Sequence, residues 1–124
     1  MTAGFWMVVA VGGAFGALGR AALTLWMGPM GYFPIATFLV NLLGSLMIGM
    51  AWSYFSRSGG QILLSAFLMT GVLGGFTTFS AFSLETISMW ERGEAAGAAA
   101  YVAASVVLSL IGLVAGMALV RSLG

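Results

Sequence analysis

The chain has 124 residues, 61% hydrophobic and 6% charged, with a formal net charge of +1 and a mean hydropathy of +1.11. A soluble domain carries about a quarter charged residues, so this composition cannot cover a water-facing surface. Without cysteine, histidine, lysine or aspartate there is no disulfide framework, usual zinc or haem ligand set, catalytic thiol or Ser-His-Asp triad, and no basic patch for nucleic acid.

Residues 1–19, 21–56, 58–84 and 95–120 carry no charged side chain. A spanning helix needs about 20 apolar residues, so four spans fit and a fifth does not. They are predicted near 4–26, 33–55, 61–89 and 96–120, giving a single all-α membrane domain over 1–124. The first span lacks a basic flank and is too long for the apolar core of a cleaved signal peptide.

In the first span, the Gly12/Gly16 spacing puts small residues on one face for close helix approach. A Gly28-Pro29-Met30-Gly31 turn ends it, and Pro34 is expected to open the second helix, where its missing donor costs nothing. The second span places Thr37, Asn41 and Ser45 at i, i+4, i+8 along one face, with the only asparagine of the chain at the centre. An amide in hydrocarbon needs partners. It either ties two helices together or lines a polar path.

The third span carries the most informative run, Gly74-Gly75-Phe76-Thr77-Thr78-Phe79-Ser80-Ala81-Phe82-Ser83. Backbone groups cannot stay unpaired in hydrocarbon, so irregular polar sequence there faces protein, water or an ion. A helix broken at membrane depth points to a transport site. Phe79 and Phe82 stand at i, i+3 with Ser80 and Ser83 close by. Ring edges carry partial positive charge and suit a small anion, although plain packing is the commoner use of such a pair. In the fourth span Tyr101, Ser105, Ser109, Gly112 and Gly116 form one continuous stripe, read as a track of hydroxyl donors.

Four helices alternate in direction, so Arg20 and Arg92 fall on one side of the membrane and Arg57 and Arg121 on the other. Arginine asymmetry normally sets orientation, and here it is nil. The expectation is insertion both ways up and an antiparallel, isologous homodimer. The alternative is a single orientation fixed by other features.

Three motifs in order resemble those of the small bacterial fluoride channels, the Fluc (CrcB) family. They are Gly12–Arg20, Phe33–Ser45 and Gly74–Glu85, and the likeness extends over the whole chain. The resemblance implies an antiparallel dual-topology homodimer in the bacterial inner membrane, with two fluoride pathways. It further implies that Phe79 and Phe82 face fluoride and that Asn41 supplies a pore-lining amide. Ser80, Ser83, Ser105, Ser109 and Thr37 would belong to a polar track, with Tyr101 beside it and Arg20 at an aqueous vestibule. Backbone carbonyls of Gly74 and Thr77 would hold a structural sodium ion at the dimer interface. Ala21, Ala36 and Ala81 stand where the family commonly has tyrosine, glycine and threonine.

The function expected from this resemblance is passive export of fluoride, which relieves fluoride toxicity. The residues suit it: a strongly hydrated anion must enter and also leave, and neutral donors give graded stabilisation where charged rings would trap it. The competing reading is a small proton-coupled multidrug exporter, which needs a carboxylate deep in the first helix; that helix has none. A structural membrane protein would explain the glycines but not the broken third helix.

Overall fold

In the computed structural model, residues 1–28 and 33–124 are described. Beyond Gly28, the predicted Gly28-Pro29-Met30-Gly31 turn lies outside them. Four helices or helical runs are long and apolar enough to cross a membrane: Ala3–Met27, Ile35–Ser58, Ile62–Glu91 and Ala95–Leu123. We call the first two α1 and α2. The third comprises α3 (Ile62–Ser65), a π-helical segment (Ala66–Leu73), α4 (Gly74–Phe76) and α5 (Phe79–Glu91), and the last run is α6.

The ends follow local chemistry. Thr2 caps α1, its side chain accepting the Phe5 amide at 3.4 Å. Pro34 sits at the N-cap of α2, one position earlier than predicted, and its carbonyl accepts the Phe38 amide at 3.1 Å. Gly59, Gly60 and Gly93 adopt positive φ in the loops that follow α2 and α5, a conformation open to glycine without steric cost.

The helices pair as α1 with the third span and α2 with α6, each pair running in the same direction. Both contacts are made backbone to backbone through glycine. A Cβ on Gly12 would stand 2.5 Å from the Phe67 carbonyl oxygen, and one on Gly16 would overlap the Val72 carbonyl. On the other pair, Cβ atoms at Gly49 and Gly116 would overlap the Leu113 and Leu46 carbonyls. Lipid tails are as apolar as leucine, so such close approach, and not water exclusion, drives association. Arg57 Nη2 donates to the Arg121 carbonyl at 3.4 Å, fixing those two arginines at one end of the α2/α6 pair.

Few large side chains are buried. One cluster, Phe82, Met89, Ala98 and Tyr101, joins α5 to α6, with Phe33 and Phe38 packed against it. Leu25, Trp26, Leu110 and Val114 stand exposed, a surface suited to lipid.

Candidate ion pathway at the broken helix

The third span leaves helical geometry at Thr77 (φ −85, ψ 157) and Thr78 (φ −152, ψ 117). Several of the severed groups find new partners. Thr77 returns both its amide, at 3.0 Å, and its hydroxyl, at 2.9 Å, to the Leu73 carbonyl. Thr78 caps the new helix α5, its hydroxyl accepting the Ala81 amide at 3.1 Å. Asn41 then takes the Thr78 peptide from both sides, Nδ2 donating to its carbonyl at 3.0 Å and Oδ1 accepting its amide at 2.8 Å. From α1, Arg20 Nε donates to the Gly75 carbonyl at 3.3 Å.

Gly44 is what allows α2 so near. A Cβ there would overlap Thr77 Cγ2. The break is therefore held from two sides, by Asn41 and Gly44 of α2 and by Arg20 of α1.

Beside the break lies a cleft of about 380 Å³ between α2, the third span and α6. Asn41, Phe79, Phe82, Ser105 and Ser109 line it, and no charged residue does. Phe82 is buried, whereas Phe79 is 76% exposed; their rings lie 5.4 Å apart. Ser105 Oγ is buried with no hydrogen-bond partner among the described residues. A buried hydroxyl without a partner is uncommon and calls for an unseen one.

At the other side of Phe82, Tyr101 is fully buried, its ring centroid 5.2 Å from that of Phe82. The Tyr101 hydroxyl donates to Glu85 Oε2 at 2.8 Å, and Thr37 Oγ1 donates to Glu85 Oε1 at 2.7 Å. One carboxylate thus gathers hydroxyls from α2 and α6 onto α5, within a span where charge is expensive.

The sequence pattern described as CrcB-like protein, Camphor Resistance (CrcB), matches residues 7–117. The chain belongs to this CrcB family. A protein of Paracoccus denitrificans named fluoride-specific ion channel FluC is 47% identical over 116 residues, 93% of each chain. Proteins of the same name from Cereibacter sphaeroides and Roseobacter denitrificans are 50% identical, over 117 residues (91% of each chain) and over 120 residues (93% of this chain and 94% of the relative). These CrcB relatives are named as channels and not as enzymes, and the proton-coupled exporter reading finds no support among them. With its four long apolar helices, this CrcB chain is a multi-pass membrane protein.

The residues singled out from sequence are distributed unevenly about the cleft of this CrcB chain. Asn41, Thr77, Phe79, Phe82, Ser105 and Ser109 line it together. Thr37 and Tyr101 reach it through Glu85 and Phe82. Ser80 and Ser83 do not line it: Ser80 Oγ lies 3.1 Å from Thr78 Oγ1, and Ser83 Oγ donates to the Phe79 carbonyl at 2.9 Å. Arg20 lies well inside α1, against the break. Gly74 is ordinary helix (φ −64, ψ −38), with its added Cβ 3.5 Å from the nearest atom, so the glycine there answers no unusual backbone demand. Glu85 and Gly44 were not recognised from sequence. Glu85 had one available signal, since it is the first acid after a charge-free run of 58–84.

Proposed function

We propose that this chain forms a passive fluoride channel. The name carried by its relatives suggests the ion, and the observation that carries the reading is the Ser105 hydroxyl, buried and without a partner among the described residues in a cleft lined by neutral groups. Fluoride is a strong acceptor, and the groups along Asn41, Ser105, Ser109 and the rings of Phe79 and Phe82 offer donors and positive edges without a full charge. The half-helix α5 starts at the cleft with Thr78 and Phe79, so the positive end of its dipole faces the same space, which favours an anion over a cation. Thr37 and Tyr101, oriented by Glu85, extend the row of polar groups. Ser80 and Ser83 belong to this reading only if their hydroxyls leave their present partners.

The dimer and the sodium ion are part of the proposal. Balanced arginines favour insertion both ways up and an antiparallel pair of chains, and the exposed face of Phe79 is where a second copy would close the cleft. A cation suits the break. The Thr78 amide, which would close a helical turn onto Gly74, is taken by Asn41, and the Ala81 amide, which would reach Thr77, is taken by Thr78 Oγ1. The Gly74 and Thr77 carbonyls thereby lose these helical donors, and oxygen dipoles of this kind suit an alkali cation. Gly74 and Thr77 would hold it, and bound there it would supply fixed positive charge near the anion path.

The bacterial inner membrane is the proposed location and relief of fluoride toxicity the proposed role. The test is efflux from liposomes carrying the purified protein. Fluoride efflux well above that of empty liposomes, with chloride retained, is the expected result; equal efflux from both kinds of liposome would remove the reading. Reporters at the C-terminus should label both membrane faces.

A further inference from the structure

We infer that Arg20 is a positioning residue that selects which carbonyls of the helix break remain open: it occupies the one at Gly75 and leaves those at Gly74, Phe76 and Thr77. The cation half of this inference rests on the sodium site proposed above.

The break interrupts the ladder of amide-to-carbonyl bonds at successive residues, and Gly74, Gly75, Phe76 and Thr77 all lose the donors a continuous helix would give them. The replacements differ. At Gly75 the Arg20 guanidinium supplies a side-chain donor, Nε at 3.3 Å. Near Gly74 and Thr77 the displaced amides go to Asn41 Oδ1 and Thr78 Oγ1, which satisfies the amides and not the carbonyls. Of these four carbonyls one receives a side-chain donor, and α1 supplies it.

The approach of α1 is built for this contact. Gly13, Gly16 and Arg20 recur along one face at helical spacing. A Cβ on Gly75 would stand 2.6 Å from the Gly13 carbonyl, so the two backbones touch one to two turns before Arg20. A carboxylate partner does not account for the arginine. Glu85 receives Thr37 and Tyr101, Glu94 pairs with Arg92, and the one hydrogen bond from Arg20 among the described residues goes to Gly75. A guanidinium at this depth is costly to insert, and its planar geometry lets Nε point at one oxygen while both terminal nitrogens stay free.

The test uses the full-length protein in lipid bilayers, labelled with ¹³C-carbonyl glycine and ¹⁵N-phenylalanine. The sequence contains two Gly-Phe pairs, Gly4-Phe5 and Gly75-Phe76, so solid-state NMR gives two selected carbonyl resonances. Arg20→Leu is expected to move the Gly75 resonance and leave that of Gly4 in place. Arg20→Gln, a neutral donor, should move it less and serves as the second variant if leucine prevents folding. A Gly75 resonance unmoved in a folded Arg20 variant overturns the inference.

The second readout is the sodium chloride concentration giving half-maximal protection against thermal unfolding, with N-methylglucamine chloride as the replacement salt. Arg20→Leu is expected to raise it at least tenfold. Ser53→Ala, which removes a 3.3 Å bond from α2 to the Met117 carbonyl of α6, should lower stability without moving that midpoint. An Arg20→Leu midpoint equal to that of the parent overturns the carbonyl selection. Absence of any sodium protection in the parent removes the sodium site and the cation half with it, while the Gly75 resonance still decides whether Arg20 holds that carbonyl.

Discussion

Asn41 holds Thr78 by both edges of its peptide, with Nδ2 on the carbonyl at 3.0 Å and Oδ1 on the amide at 2.8 Å. One side chain of α2 thereby replaces the helical partners that the third span gives up. This changes what substitution of Asn41 should do. From sequence alone, leucine there is a harmless lipid residue that removes a donor from the path. In the structure it strips two partly buried backbone groups of their partners, each at about 1–3 kcal/mol. Asn41→Leu is therefore expected to lower thermal stability as well as abolish fluoride flux. A melting curve in detergent, run beside the flux assay, checks both.

Gly44 and Thr77 form a second coupled pair. A Cβ at Gly44 would overlap Thr77 Cγ2. Gly44→Ala should destabilise by about 1–3 kcal/mol, the usual scale for overpacking. Thr77→Ser alone should be mild, because the hydroxyl that bonds the Leu73 carbonyl is kept. Combined with Gly44→Ala it should restore most of the loss, since serine lacks the methyl. A double variant no more stable than Gly44→Ala would show that the strain lies elsewhere.

The two phenylalanines should separate by burial. Phe82 packs against Phe79 and Tyr101 with centroids at 5.4 and 5.2 Å, and is 8% exposed. Phe82→Ile removes those ring pairs, each worth about 0.5–1.5 kcal/mol beyond area, so it should lower both stability and flux. Phe79→Ile loses only the pair with Phe82 from a ring that is otherwise exposed, so it should lower single-chain stability less than Phe82→Ile while cutting flux. Normal flux in Phe79→Ile would mean that its exposed ring serves packing alone.

Ser105 offers the cleanest separation of fold from function. Its hydroxyl has no partner among the described residues, so Ser105→Ala removes a desolvated polar group and should leave stability equal or slightly higher. Fluoride flux should nevertheless fall, about tenfold if one neutral hydrogen bond of roughly 1.4 kcal/mol is lost at the barrier. Ser53→Ala is the contrasting control: its hydroxyl bonds the Met117 carbonyl at 3.3 Å away from the cleft, and its loss should affect stability and not flux.

Some of this was determined by the sequence alone. Charge-free stretches longer than a bilayer is thick leave few places for the spans, and the helices begin and end close to where the charges and glycines put them. The run Gly74–Ser83 marked the break because threonines and glycines cannot continue an apolar helix in lipid without partners. Asn41 stood out as a lone amide in hydrocarbon, but whether it tied helices or lined a path was open, and in the structure it binds the Thr78 peptide and lines the cleft. What only tertiary structure decided is who meets whom. Arg20 reaches Gly75, Thr37 and Tyr101 converge on Glu85, and Gly44 fits under Thr77, all across wide gaps in sequence. The π-helical segment Ala66–Leu73 had no local signal either, since its residues suit an ordinary helix. Periodicity reports which face a residue occupies on its own helix. The rotation and depth of that helix against its neighbours follow from close backbone contacts at glycine, which exist only once the helices have packed.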